Sequence, residues 1–382
     1  MKLRLNTRRF LVLFIATLAI HSHAWAQFRL PNDSTLRHWV AQMLMVGFTG
    51  NTANAQSDAA RYVRDLQVGS IVLFDVDLTG TATPGSRNIT SQEQVATLTA
   101  QLQQWAGKRP LLIALDQEGG KVARLKPLYG YEPVVSQQYL GEIDNADSTR
   151  FYGKRIARQL SSSGINLNLG PVLDIQAPDC PAIGQLGRSY GNEKQVVKHA
   201  GIVLDEHHKQ RVLCAVKHFP GHGSAKADSH RGFVDVTHTW SSQELLPFEK
   251  LIKKNKIDVV MTAHIINRNI DPNYPATLSR ATIQGILRDQ LGFDGVVVTD
   301  DMYMEGIIKH YSIENALVLA INAGADMLCV GNNINTGFEA DRPFKLVDMI
   351  VKAVKQGRIP YGRIYQAHKR IEKLLKKIKK HA

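Results

Sequence analysis

Short apolar runs separated by longer amphipathic stretches recur along this chain. Eight such runs occupy residues 43–48, 70–74, 111–116, 165–174, 212–219, 258–264, 295–300 and 326–331. They are rich in Val, Ile and Leu and apolar on both parities, as parallel strands covered on both faces must be. Between them, residues 92–105, 192–210, 241–254, 279–290 and 313–323 place apolar side chains at helical spacing. Gly164 and Gly324 end helices just before the fourth and eighth runs. Eight strands alternating with helices predict an α/β fold, a single (β/α)8 barrel of the TIM type. The rival doubly wound sheet carries a glycine-rich phosphate turn after its first strand. Here the first run ends Gly47-Phe48-Thr49-Gly50-Asn51, which is not that fingerprint.

Polar residues cluster where the apolar runs stop. The third run leads into Asp116-Gln117-Glu118-Gly119-Gly120, the fifth into Lys217-His218-Phe219-Pro220-Gly221-His222-Gly223. The sixth ends Thr262-Ala263-His264, the seventh Thr299-Asp300-Asp301 and the eighth Gly331-Asn332-Asn333. In a barrel these are the C-terminal strand tips, which converge on the face that holds active sites. Packing does not explain so many charged tips, because an unpaired buried charge costs several kcal/mol. Gly187-Arg188-Ser189-Tyr190-Gly191 spells Gly-x-Ser-x-Gly, but no apolar run leads directly into it as a nucleophile elbow requires, and no Walker loop or dinucleotide fingerprint is present. Acid/base chemistry and carboxylate attack remain, with glycoside cleavage the leading example.

Charge and composition qualify this reading at the chain ends. Lys2, Arg4, Arg8 and Arg9, a short apolar run and Ala24-Trp25-Ala26 have the layout of a cleaved signal peptide over residues 1–26. The expected mature chain is then residues 27–382, exported and periplasmic, with secretion as second choice. Of the net charge of +13, four units lie in that leader and six in residues 369–382, leaving +3 for the body. Nothing in that balance suggests nucleic acid. In the tail, Ile364, Ala367, Ile371, Leu374, Leu375 and Ile378 recur at helical spacing, so a docked last helix is expected, with contact of its lysines to an anionic surface as the alternative. Cys180, Cys214 and Cys329 match no zinc or redox spacing and leave at least one free thiol.

Several of these segments resemble family 3 glycoside hydrolases, in particular the bacterial β-N-acetylglucosaminidase branch acting on peptidoglycan fragments. The most specific is Lys217-His218-Phe219-Pro220-Gly221-His222-Gly223 followed by Asp228-Ser229-His230. The others are Asp116-Gln117-Glu118-Gly119-Gly120-Lys121-Val122-Ala123-Arg124, Asn168-Leu169-Gly170-Pro171-Val172-Leu173-Asp174, Gly187-Arg188-Ser189-Tyr190-Gly191, Met261-Thr262-Ala263-His264 and Val298-Thr299-Asp300-Asp301. The resemblance covers roughly residues 37–335, in order. It implies Asp300 as catalytic nucleophile, His230 as acid/base and Asp228 as its partner, with Asp116, Arg124, Arg188, Lys217 and His218 binding the terminal sugar. It implies retaining hydrolysis of terminal β-linked N-acetylglucosamine from peptidoglycan fragments or chitin-like oligosaccharides, without metal or cofactor. The sequence does not fix the oligomeric state; a monomer is the favoured expectation.

Chemistry alone does not separate Asp300 from Asp301; the family pattern selects Asp300. His222 and Glu118 read as loop and turn residues, Asp174 as either a structural residue or a sugar contact, and His264 as a residue that lines the pocket or orients Asp300. One departure stands out. Residues 75–86 intervene between Phe74 and Arg87-Asn88, where the branch runs on almost directly. Three alternatives stay open: a phosphorylase of the same fold, a metal-dependent hydrolase with His218, His222, His230 and Asp300 as ligands, and a non-catalytic cell-wall-binding protein.

Overall fold

Each of the eight apolar runs contains a strand, because both of its faces are covered and its side chains are apolar or small until the polar tip. The computed structural model describes residues 32–80, 82–176, 178–228, 232, 234–333 and 337–379. The expected signal peptide and His230 lie outside these. The strands are β1 (Leu44–Val46), β2 (Ser70–Val72), β3 (Leu112–Leu115), β4 (Leu167–Asn168), β5 (Leu213–Phe219), β6 (Val259–Thr262), β7 (Val296–Thr299) and β8 (Leu328–Val330). All neighbours are parallel and follow chain order, with Val46 opposite Ile71, Ile71 opposite Ile113, Ala114 opposite Leu167 and Asn168 opposite Cys214. A parallel bridge between Val298 and Met327 joins β7 to β8, and Met45 opposite Cys329 joins β8 to β1. The ring is therefore the predicted (β/α)8 barrel.

β5 departs from regularity where chemistry was expected. Val216 faces Val260, but Phe219 faces Thr262, so β5 holds one residue more than β6. Such a bulge re-aims side chains near a strand end, and here the displaced pair is Lys217 and His218. The peptide between them is cis, as is Phe219–Pro220.

The outer helices largely match expectation: Gln92–Ala106, Glu193–Lys209, Ala281–Gln290 and Ile313–Ala323. Asn192 caps the second with a reciprocal capping box to Gln195. Residues 241–254 are not one helix. They divide into a tight turn, Ser242–Leu245, and a helix, Leu246–Lys253, because Pro247 is tolerated only in a first turn. The helices Asp33–Gln42, Ala146–Ser162 and Arg342–Lys355 complete the layer.

The basic tail forms the helix Tyr361–Lys379. Ile364, Ala367, Ile371, Leu374 and Leu375 are buried in the main core. Its cations meet the N-terminal strand ends: Arg363 and Arg370 each reach Asp326 at 3.3 Å, and Lys377 reaches Asp258 at 2.7 Å. This helix closes the floor of the barrel, opposite the strand tips. All three cysteines are free and buried. Among the described residues, no helix is long and apolar enough to cross a membrane.

Candidate active site

A cavity of about 320 Å³ opens among the C-terminal strand tips. Its deepest wall is a lattice of alternating charges. Lys217 Nζ lies 2.7 Å from Asp116 Oδ1 and 2.6 Å from Glu118 Oε1. Arg188 donates to both Glu118 oxygens, at 2.8 and 2.7 Å. Arg124 donates to Asp116 Oδ2 at 3.1 Å. Burial alone would push the Asp116 carboxyl up, but Lys217 and Arg124 overcome it and hold the group below the usual carboxylate range. Glu118 is likewise lowered: burial opposes, and Arg188 and Lys217 prevail. Burial works against the Lys217 ammonium, but Asp116 and Glu118 raise it. These groups stay ionised and pre-oriented, and present both donors and acceptors to hydroxyl groups without reorganising.

A second layer steadies the β5 tip. His218 Nδ1 meets Asp174 Oδ2 at 2.7 Å, while the His222 amide donates to Asp174 Oδ1 at 2.8 Å. The other ring nitrogen, His218 Nε2, is 3.3 Å from Arg188 Nη2. Burial, then His218, lowers His222 to about 4, so its ring is neutral at ordinary pH. Beyond it, the Gly223 amide donates to Glu244 Oε2 at 3.0 Å. A Cβ at Gly223 would lie 1.9 Å from the Ile175 carbonyl oxygen, and one at Gly221, where φ is +116°, would lie 2.5 Å from Glu244 Cβ. Only glycine lets this loop run so close to its supports.

Asp300, at the tip of β7, lines the same cavity as Lys217 and Arg188, and so does Asp228. Asp300 Oδ1 accepts the Asp301 amide at 2.8 Å. Asp301 borders the cavity too, but its carboxylate is engaged by the fold, accepting the amides of Tyr303 at 3.0 Å and Gly331 at 3.1 Å. Burial, together with the Asp300 charge, raises Asp301 to about 6. His264 Nε2 donates to the Asp301 carbonyl at 2.9 Å, so it braces the residue after Asp300.

All the expected site residues within the described chain, namely Asp300, Asp228, Asp116, Arg124, Arg188, Lys217 and His218, line this one cavity. His230 lies outside the described residues. Two others matter more than their sequence context suggested. Glu118 is not merely a turn residue but the shared counter-ion of Arg188 and Lys217. Asp174 aligns both His218 and the His222 amide. The only signal for either was a carboxylate at a strand tip, which does not reveal its partners. Among the described residues, no three His, Cys, Asp or Glu side chains are grouped as a metal site requires.

The cavity also has an apolar edge. Phe74, Val76 and Leu78 line it from the segment after β2, and Met304 from the segment after β7.

This architecture has known relatives. The family model described as glycosyl hydrolase family 3 N terminal domain matches residues 35–374. The chain is 34% identical over 275 residues to a β-hexosaminidase of Tolumonas auensis, covering 71% of this chain and 78% of that one. The solved glycoside hydrolase family 3 β-N-acetylglucosaminidase from Paenibacillus sp. superposes with a TM-score of 0.81 at 35% identity over 93% of this chain. This chain spans 64% of that protein, just under two thirds. A β-N-acetylhexosaminidase from Beutenbergia cavernae superposes with a TM-score of 0.78 at 27% identity, covering 89% of this chain and 98% of that one. The match runs through the barrel and every strand tip that builds the cavity, and on that extent the chain belongs to glycosyl hydrolase family 3.

Proposed function

We propose that the protein is a retaining exo-β-N-acetylhexosaminidase that removes terminal β-linked N-acetylglucosamine. One observation carries this reading: Asp300 shares a cavity with Asp228 and with the ion lattice of Asp116, Arg124, Lys217 and Arg188. The similarity to proteins named β-hexosaminidase supports it. In this reading Asp116, Arg124, Arg188, Lys217 and His218 grip the terminal sugar. Asp300 attacks the anomeric carbon while His230, polarised by Asp228, protonates the departing oxygen. The glycosyl–aspartate ester is then hydrolysed by water, from which His230 takes a proton, and the β configuration is retained. An unperturbed imidazole titrates near 6.5, which suits a group that must give and then take a proton near neutrality.

The natural substrates in this proposal are peptidoglycan fragments or chitin-like oligosaccharides met outside the inner membrane, the compartment to which the leader of residues 1–26 points.

Hydrolysis of a nitrophenyl β-N-acetylglucosaminide by wild type, Asp300→Asn and His230→Ala tests the assignment. Asp300→Asn should lose more than about a hundredfold in kcat, the scale of losing a nucleophile. Full activity in that variant refutes the role of Asp300. Release of a sugar 1-phosphate in phosphate buffer would identify a phosphorylase instead, and inactivation by chelator a metal-dependent enzyme.

A further inference from the structure

The cavity is graded from a charged, buried floor to an apolar, open edge. Lys217 and Glu118 are almost wholly enclosed, whereas Leu78 at the mouth is 54% exposed. Among the described residues, five large apolar side chains are more than a third exposed, and Leu78 alone of these lines the cavity. A leucine held open beside a polar site is apolar surface awaiting cover.

Its position is built, not incidental. The segment of residues 75–86 folds back on itself, with Val76 bridged to Pro84 and the Gly85 amide donating to the Asp75 carbonyl at 2.9 Å. Asn333, beyond β8, clamps it from the other side. Its Oδ1 accepts the Leu78 amide at 2.8 Å, and its Nδ2 donates to the Val76 carbonyl at 2.9 Å. The fully buried Arg87 locks that clamp, donating to Asn333 Oδ1 at 2.9 Å and the Asn332 carbonyl at 2.6 Å, with Asp77 at 3.2 Å. Asp75 is tied to Lys126. Two strand tips thus hold Val76 and Leu78 at the cavity edge.

We infer that this segment is the acceptor subsite: Leu78, with Val76 and Met304 beside it, receives an apolar face of the leaving group. The inference rests on the proposed glycosidase reading. In an exo-acting site the terminal sugar occupies the enclosed end and the scissile linkage points out, so the group leaving past the mouth is the first to meet Leu78. The chemistry selected is an aryl ring or the carbon-bearing face of a pyranose, not a compact hydrophilic aglycone.

The test compares two leaving groups in wild type, Leu78→Ser and Leu78→Asp. On this inference the nitrophenyl group of nitrophenyl β-N-acetylglucosaminide meets the edge, and the methyl group of methyl β-N-acetylglucosaminide stops short of it. Each variant is referred to wild type on the same substrate, which cancels intrinsic leaving-group ability, and free N-acetylglucosamine serves as a competitive probe of the enclosed end. Both variants should fold, since the side chain is half in solvent. For Leu78→Asp, kcat/KM on the nitrophenyl substrate should fall roughly tenfold, mainly through KM, the scale of uncovering half a leucine. On the methyl glycoside, and in the inhibition constant of free sugar, the change should stay within about twofold. Equal losses on both substrates, or a weakened inhibition constant, would place Leu78 in the terminal-sugar pocket and overturn the inference, as would no loss on either. A wild type inert toward both glycosides overturns the glycosidase reading itself, so the two failures are distinct.

Discussion

Glu118 shows how much one side chain can hold. Its two oxygens neutralise Arg188 and Lys217, and Lys217 in turn serves Asp116. Removing one member of such a buried set leaves a charge without its partner, which costs about 3–5 kcal/mol. Glu118→Gln should therefore lower stability to denaturant by about 3 kcal/mol and raise KM by releasing Lys217 and Arg188 from their positions. A denaturation midpoint and KM both within error of wild type would show that the lattice tolerates the lost charge. From sequence, Glu118 is one letter in a glycine-flanked turn, and nothing in its neighbourhood names partners 70 and about 100 positions away along the chain. Asp116 and Lys217 were more legible, since a charge at the end of an apolar strand has few places to point other than the mouth of a barrel.

At the scale of elements, the turn Ser242–Leu245 and the glycine loop it braces form a titrating joint. Burial, then the Asp174 charge, raises Glu244 from 4.5 to about 7, yet its oxygen accepts the Gly223 amide. A carboxyl whose folded pKa is raised destabilises the folded state progressively as pH climbs from its unfolded to its folded value. The folded protein therefore loses on the order of 3 kcal/mol at this site between pH 4.5 and 7. Glu244→Gln keeps an acceptor for Gly223 and removes the titration. Its melting temperature should exceed wild type at pH 8 and converge with it at pH 4.5. A difference of equal size at both values would exclude the linkage. Asp116 and Glu118, held low, act in the opposite sense and weaken the fold only as pH falls below the ordinary carboxylate range.

Legibility also varied among elements for physical reasons. The strands were plain because two-sided burial demands unbroken apolar letters. The helix Ala146–Ser162 was not, because it packs on Glu193–Lys209 through small residues. A Cβ added at Gly153 would lie 3.4 Å from the Val203 Cα, so close approach takes the place of a large apolar stripe.

At the scale of the whole molecule, the barrel is open at one end and stoppered at the other. The helix Tyr361–Lys379 seals the floor with five buried apolar side chains and ties to Asp326 and Asp258. Each such side chain contributes roughly 1.5–3 kcal/mol if large, so together they rival the whole stability of a domain. Deleting residues 361–382 should abolish cooperative unfolding in calorimetry. A truncated chain melting within a few degrees of full length would show that the barrel seals without it. The stripe was readable in advance, but its docking place was not, because helical periodicity fixes which face is apolar and leaves open what it faces.

The same stopper has a practical meaning. The helix Asp33–Gln42 begins beside Lys355 and delivers the chain to the floor of β2 through the Ala41 carbonyl, so the chain also enters the barrel from that end. Residues 33 and 377 therefore both sit on the side away from Asp300. A carrier, a bead or another domain joined at residue 33 or residue 377 would be attached on the side away from Asp300, leaving the mouth of the cavity facing outward.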